Sequence, residues 1–202
     1  MPSSFFFQNL GLFVREGFFN SATCTQIQSQ MRLGEAVKGL IGGAEPEIGI
    51  LDEDVRKVLS VHVEVSSENL VLDAVRDLKP SLEEHFQVPL REFEFPTFLR
   101  YGEGAFYRPH KDGTPETPTA TKDRRVSVVI FLNSRSEEPS PDSYGGGALT
   151  FYGLLDGPMW EKCPFPLDAN PGLLIAFRSD VLHEVRPVTF GQRFTIVTWF
   201  RI

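Results

Sequence analysis

From Phe93 to the C-terminus the chain is a succession of short β-rich runs broken by Gly, Pro and Ser loops. The runs are Phe93–Tyr101, Phe106–Lys111, Arg125–Asn133, Ala148–Tyr152, Gly172–Phe177, Leu182–Pro187 and Arg193–Arg201. They are rich in Val, Ile, Phe and Tyr, and turn residues bound them. Spacing of this kind predicts an all-β sandwich or barrel. The sequence shows no internal repeat and no linker long enough to divide its 202 residues. A single domain over 1–202 is therefore expected, with 1–92 as a helical support region and 93–202 as the core.

The support region reads less evenly. Residues 1–9 read as an irregular lead, and Leu12–Phe19 as a strand running into a turn. Asn20 and Ser21 are good caps for a helix over 22–33, with Cys24, Ile27 and Met31 on its core face and Gly34 as its stop. Residues 34–55 lack a period and read mostly as loop. Val61–Val65 alternates strictly, which predicts a half-buried strand with His62 on its polar face. Ser66 and Ser67 offer caps for a second helix through Leu70, Val71, Ala74 and Val75. Pro80 either kinks that helix or opens a new one in its first turn. His85, beside Glu83 and Glu84, is expected on a solvated face. Long loops are expected at 113–124, 134–146 and 153–170, and such loops often serve as lids or binding elements. The first begins directly after Asp112 and is the best candidate for a substrate lid.

Composition narrows the function classes. Hydrophobic residues make up 41% of the chain and there are 18 Phe, which argues for a packed core and against disorder. The formal net charge of −7 argues against a nucleic-acid partner. No apolar run reaches membrane-spanning length, so no membrane association is expected. Phe5-Phe6-Phe7 is too short for a signal-peptide core and lacks a basic lead-in, so no export is expected. The two cysteines, Cys24 and Cys163, cannot make a disulfide framework and read as free thiols of a cytoplasmic protein. The oligomeric state is not legible.

The residues with chemistry are His110, Asp112, His183 and Arg193. On a strand, residues two apart share a face, so His110 and Asp112 could reach one metal ion. His183 lies far downstream on another strand-like run. Two imidazoles and a carboxylate leave three positions open on a metal, the arrangement of non-haem Fe(II) oxygenases. Arg193 follows His183 by ten residues and opens the apolar run Phe194–Phe200. A buried charge there calls for an anionic partner, and a guanidinium grips a carboxylate with two prongs. Each residue alone has a plain reading. A lone His-x-Asp is usually incidental, Arg193 could form a surface ion pair, and Tyr101 and Trp199 could be core packing. Gly145–Gly147 reads as a tight turn, because no Gly-Lys-Ser/Thr follows to bind phosphate. Cys163 reads as a loop thiol, and His62 and His85 as structural or solvated.

Taken in order, the stretch from Phe98 to Phe200 resembles the 2-oxoglutarate- and Fe(II)-dependent dioxygenases, and within them the prolyl 4-hydroxylase-like group. The residues that carry the resemblance are Tyr101, His110-Lys111-Asp112, Val126–Asn133, Gly145–Phe151, Gly172, Phe177, His183, Pro187-Val188, Gly191, Arg193 and Trp199. It implies a mainly β fold, the double-stranded β-helix (a cupin-like jelly roll), with N-terminal helices packed on one sheet. It also implies Fe(II) held by His110, Asp112 and His183, and Arg193 paired with the distal carboxylate of 2-oxoglutarate. Tyr101 and Thr195 would add hydroxyl contacts, Trp199 would close the pocket, and Leu149 and Val129 would be its apolar walls. The reaction implied consumes O2, converts 2-oxoglutarate to succinate and CO2, and hydroxylates an unactivated C–H bond, with ascorbate as a reductant. The substrate could be a prolyl residue of a protein or peptide, a free amino acid or a small metabolite. A non-catalytic β-helix module that binds a ligand is the alternative from another class.

Departures from the family pattern are visible. Many prolyl 4-hydroxylases carry lysine where this chain has Arg193, and relatives often carry glutamate at Ala148. Phe131 stands where some relatives place a tyrosine that touches 2-oxoglutarate, which leaves more of that contact to Tyr101. Retention of Asp112 favours hydroxylation over halogenation, because related halogenases lack that carboxylate. Trp199 stands where the nucleic-acid demethylases carry a second arginine, which argues against that activity.

Overall fold

The computed structural model describes residues 4–41, 49–114 and 120–202. In chain order the first elements are α1 Ser4–Asn9, β1 Phe13–Arg15, α2 Ser21–Leu33, β2 Ala36–Lys38, β3 Arg56–Lys57, β4 Leu59–Val61 and α3 Val65–Phe86. The strand-rich part comprises β5 Thr97–Tyr101, β6 Phe106–His110, β7 Arg124–Phe131, β8 Ser134–Arg135, β9 Ser143–Gly146 and β10 Leu149–Phe151. It ends with β11 Phe165–Leu167, β12 Leu174–Arg178, β13 His183–Val185, β14 Val188–Gly191 and β15 Arg193–Arg201.

A seven-stranded sheet has the order β1-β12-β7-β15-β5-β4-β2, and a five-stranded sheet the order β11-β10-β13-β6-β3. The small sheet β14-β9-β8 adds a third patch. The two larger sheets form a jelly roll, mainly β with supporting helices. Period-two alternation in β7 explains how one strand serves two cores. Val126, Val128 and Ile130 pack with Cys24, Ile27 and Met31 of α2 and with Val71, Val75, Leu78 and Leu82 of α3. Val129 and Phe131 point the other way, into the apolar layer that contains Leu149, Phe151, Phe177 and Val185. The helices thus seal one face of the large sheet, and its other face meets the five-stranded sheet.

The second helix begins as expected. Asn20 caps α2 by accepting from the Thr23 N–H, and Gly34 ends it with its N–H on the Gln30 carbonyl. The region after it departs from expectation. The strand lies at 59–61 rather than 61–65, because α3 already starts at Val65. Its N-cap is Glu64, without a side-chain cap, and Ser67 is buried inside the first turn rather than capping it. The β-branched alternation at 61–65 therefore loses to the apolar stripe that follows. That stripe also carries the helix through Pro80. An interior proline costs about 3 kcal/mol, whereas burying each of Val71, Val75, Leu78 and Leu82 contributes roughly 1.5–3 kcal/mol. His85 is not on a solvated face: its ring packs edge-on against Phe13 and Phe86, and burial lowers its pKa.

Other differences fall where sequence signals are weak. Residues 4–9 form a helix, anchored by the buried Phe7. The loops expected at 134–146 and 153–170 contain β8, β9 and β11, and β14 follows β13 directly. The triple glycine does make a turn. A side chain at Gly145 would collide with the Phe190 ring, and Gly146 and Gly147 hold φ of +64° and +56°. Both cysteines are free thiols, Cys24 buried and Cys163 exposed.

Leu78, fully buried where α3 meets the large sheet, tests this packing. Leu78→Ala is expected to lower the unfolding free energy by about 2–5 kcal/mol in urea titration. A loss near zero would mean that α3 does not pack there.

Candidate active site

Seven strands, β3, β5, β6, β7, β10, β13 and β15, converge on one pocket between the two larger sheets. His110 ends β6, and His183 begins β13 directly opposite it. Asp112 lies two residues beyond the end of β6, so strand alternation does not place it as the sequence pattern implied. Backbone bonds do. The N–H groups of Asp112 and Gly113 both donate to the Ser179 carbonyl, at 2.9 and 3.0 Å. Gly113 is needed for this approach, since a side chain there would sit 2.8 Å from the Arg124 carbonyl and 2.9 Å from that of Thr121.

The three side chains meet. One ligand atom from each of His110, Asp112 and His183 lies within 4.8 Å of the other two. The Nε2 atoms of His110 and His183 are each 3.5 Å from an Asp112 carboxylate oxygen. Each Nδ1 instead faces a backbone carbonyl, of Arg108 at 2.8 Å and of Val181 at 3.0 Å. Those carbonyls require a proton on Nδ1, which leaves the Nε2 lone pairs pointing at one point. Burial pushes His183 down to about 4, with His110 beside it acting the same way, so the ring is neutral at physiological pH. For Asp112, burial alone would raise the carboxyl. The neighbouring His183 and His110 outweigh burial and hold it well below the usual carboxylate range. Neutral imidazoles and an ionised carboxylate are the donor set that Fe(II) takes, so the cluster is a candidate iron site.

Arg193 sits in the same pocket. It is 1% exposed, and no carboxylate pairs with it among the described residues. Its Nη1 donates to Thr195 at 3.1 Å, and its Nε has no partner. The guanidinium carbon lies 5.0 Å from the centre of the Tyr101 ring and 5.1 Å from that of Phe131. Such ring contacts each offset about 0.5–2 kcal/mol, against several kcal/mol for a desolvated charge. The balance asks for an anion that the chain does not supply. Tyr101 lies opposite Arg193 in the pairing of β15 with β5.

The other expected residues line this pocket. Thr195, Val197 and Trp199 share the Arg193 face of β15, with Val129 and Leu149 among the remaining walls. Thus all nine residues singled out as site candidates fall together. Of the expected lid, residues 115–119 lie outside the described ones.

Several residues were missed by sequence reasoning. Tyr107 stacks flat on His110, with centroids 3.5 Å apart, and the Arg56 guanidinium lies 4.8 Å from the centre of the Tyr107 ring. Burial pushes the Tyr107 phenol up to about 12, with Arg56 opposing. Tyr144 is buried beside Arg193; burial raises its pKa and the guanidinium opposes the rise. It offers the second tyrosine hydroxyl near Arg193 that Phe131 does not provide. At the rim, Arg124 lies 3.8 Å over the Trp199 ring and is held there by a two-pronged contact with Glu94. No sequence signal marked Tyr107, Tyr144 or Arg124: residues three apart on a regular strand face opposite ways, and Tyr107 meets His110 where the pairing of β6 with β13 shifts register.

Comparison with known proteins accounts for this geometry. The family model of the 2OG-Fe(II) oxygenase superfamily matches residues 96–201, just over half of the chain. The chain belongs to that superfamily. This 2OG-Fe(II) oxygenase is similar to a PKHD-type hydroxylase of Synechococcus elongatus, 28% identical over 197 residues that cover 91% of this chain and 75% of the relative. A PKHD-type hydroxylase of Sphingopyxis alaskensis is 32% identical over 136 residues, covering 67% of this chain and 55% of that one. Among solved structures, a prolyl-4-hydroxylase of Pseudomonas putida superposes with a TM-score of 0.70 at 24% identity, covering 95% of this chain and 92% of the other. A prolyl hydroxylase of Trichoplax adhaerens, in complex with a hypoxia inducible factor peptide fragment, gives 0.72 at 18% identity, covering 96% and 85%. Among the described residues, no helix is long and apolar enough to cross a membrane.

The unpaired guanidinium predicts a stability signature. In wild type, 2-oxoglutarate at about 100 times its Kd should raise the unfolding free energy by about 2.7 kcal/mol. Arg193→Met should abolish that rise while leaving the ligand-free protein equally stable or about 1 kcal/mol more stable. Retention of the full ligand effect in the variant would contradict the assignment.

Proposed function

We propose that the chain is an Fe(II)- and 2-oxoglutarate-dependent hydroxylase, one domain over 1–202, that acts on a prolyl residue in a protein or peptide. The observation that carries the cosubstrate is Arg193: a buried, unpaired guanidinium in one pocket with the His110–Asp112–His183 cluster. The substrate class is supported by the names and folds of the relatives, prolyl hydroxylases among them.

In this reading His110, Asp112 and His183 hold the iron through Nε2, a carboxylate oxygen and Nε2. The backbone carbonyls of Arg108 and Val181 fix the two ring orientations. Arg193 takes the distal carboxylate of 2-oxoglutarate, with Thr195 and the Tyr101 hydroxyl as neighbours. When bound, iron and 2-oxoglutarate supply the O2-dependent oxidation that hydroxylates a C–H bond and releases succinate and CO2. The apolar walls, Leu149, Val129 and Val197, keep bulk water from the reacting centre. Trp199, pinned by Arg124, lines the pocket on the Arg193 face of β15. Free thiols in Cys24 and Cys163 are consistent with a cytoplasmic setting.

The test is succinate release in the presence of Fe(II), ascorbate and 2-oxoglutarate, with and without proline-containing peptides, and with free proline as the small-molecule control. Peptide-stimulated succinate and a peptide mass gain of one oxygen are expected. His110→Ala should reduce both by at least about 100-fold. Full activity in that variant would sink the iron site, and stimulation by free proline alone would sink the peptide reading.

A further inference from the structure

We propose that Ser127 and Ser179 form a hydroxyl relay that positions the Asp112 carboxylate for the metal. The inference rests on the iron-site reading above. Ser127 is the one polar side chain in the run Val126 to Phe131 of β7, and both serines are 1% exposed. A buried hydroxyl in such a run needs a partner. The Ser127 hydroxyl donates to Asp112 Oδ2 at 2.7 Å, and Ser127 Oγ lies 3.0 Å from Ser179 Oγ.

The direction of the relay follows from proton counting. An ionised carboxylate only accepts, so the single Ser127 proton is committed to Asp112. The bond between the serines must then be donated by Ser179. A hydroxyl that accepts one bond donates a stronger one, so Ser179 sharpens the hold of Ser127 on the carboxylate. Ser179 also accepts, through its carbonyl, the backbone N–H groups of Asp112 and Gly113. One residue therefore anchors both the main chain and, through Ser127, the side chain of a ligand that no strand holds.

This matters because Asp112 lies beyond the end of β6. Its neighbours along the chain are the exposed Lys111 and the compact Gly113, and neither can fix its χ angles. The Ser127 hydroxyl lies on the pocket face of β7, and β7 is paired with both β12 and β15. The rigid centre of the large sheet thus dictates where the carboxylate points. With Oδ2 held by Ser127, the carboxylate is fixed with Oδ1 3.5 Å from His110 Nε2 and Oδ2 3.5 Å from His183 Nε2, so that it faces both histidine nitrogens. Ser127 and Ser179 are positioning residues in this scheme; neither touches substrate or metal.

The test uses the full chain under anaerobic conditions, with Fe(II) and, separately, Co(II) as probes. Co(II) reports its coordination number through its visible absorption. Wild type should bind one ion per chain. Ser127→Ala should weaken Fe(II) binding about 10–100-fold and change the Co(II) spectrum, with far-UV circular dichroism unchanged. Ser127→Cys, near in size and a weak donor, should fall between. Ser179→Ala should weaken binding less, and the double variant Ser127→Ala/Ser179→Ala no more than Ser127→Ala alone, because Ser179 acts through Ser127. Wild-type binding with unchanged affinity and spectrum in Ser127→Ala and Ser127→Cys would overturn the relay but leave the iron site intact. Additive losses in the double variant would overturn the order of the relay. Absence of binding by wild type would instead overturn the iron-site reading on which the relay rests.

Discussion

Arg193 is fully enclosed among Tyr101, Phe131 and Thr195, and none of the described carboxylates pairs with it. A charge removed from water without a counter-ion opposes folding by several kcal/mol. The two aromatic faces return only part of that. The fold must therefore be stable enough elsewhere to carry the deficit until an anion arrives. The helix-backed face of the large sheet supplies that reserve: the side chains of α2, α3, β7, β12 and β15 there form one continuous apolar cluster.

The same strands serve both ends of this balance. Phe194, Ile196 and Phe200 of β15 face the helices, and Arg193, Thr195, Val197 and Trp199 face the pocket. Residues that bind a ligand are thus spaced by a strand whose reverse side is locked into the core. A site built on paired central strands holds its geometry more closely than one built on loops. Asp112 is the exception, since it follows the last residue of β6. Its hold comes from contacts with Ser127 and Ser179 rather than from the strand that precedes it.

Much of this was legible in the sequence because the patterns were long or the residue types costly. β15 was read to the residue: nine residues rich in β-branched and aromatic side chains favour a strand, and an arginine in an apolar run demands an explanation. The His110–Asp112–His183–Arg193 set was legible because few chemistries need those groups in that order. What escaped has equally physical causes. β9 carries two glycines and β11 a proline, so neither looks like a strand; tertiary contacts with β14 and β10 make them so. The start of α3 was hidden behind a β-branched run that mimics a strand. Tyr144 and Arg124 act through positions that only the folded sheets bring near Arg193 and Trp199. Strand alternation gave the right partner for His110 by the wrong route, because Asp112 lies past the strand and is held by Ser127 and Ser179.

The central claim is that one pocket holds a metal at His110, Asp112 and His183 and an anion at Arg193. The most direct measurement is a crystal structure grown anaerobically with Fe(II) and 2-oxoglutarate, with anomalous diffraction recorded at the iron edge. The account predicts a single anomalous peak between the two Nε2 atoms and the Asp112 carboxylate, and 2-oxoglutarate with its distal carboxylate on the Arg193 guanidinium. Iron bound elsewhere, or a cosubstrate whose distal carboxylate points away from Arg193, would contradict it.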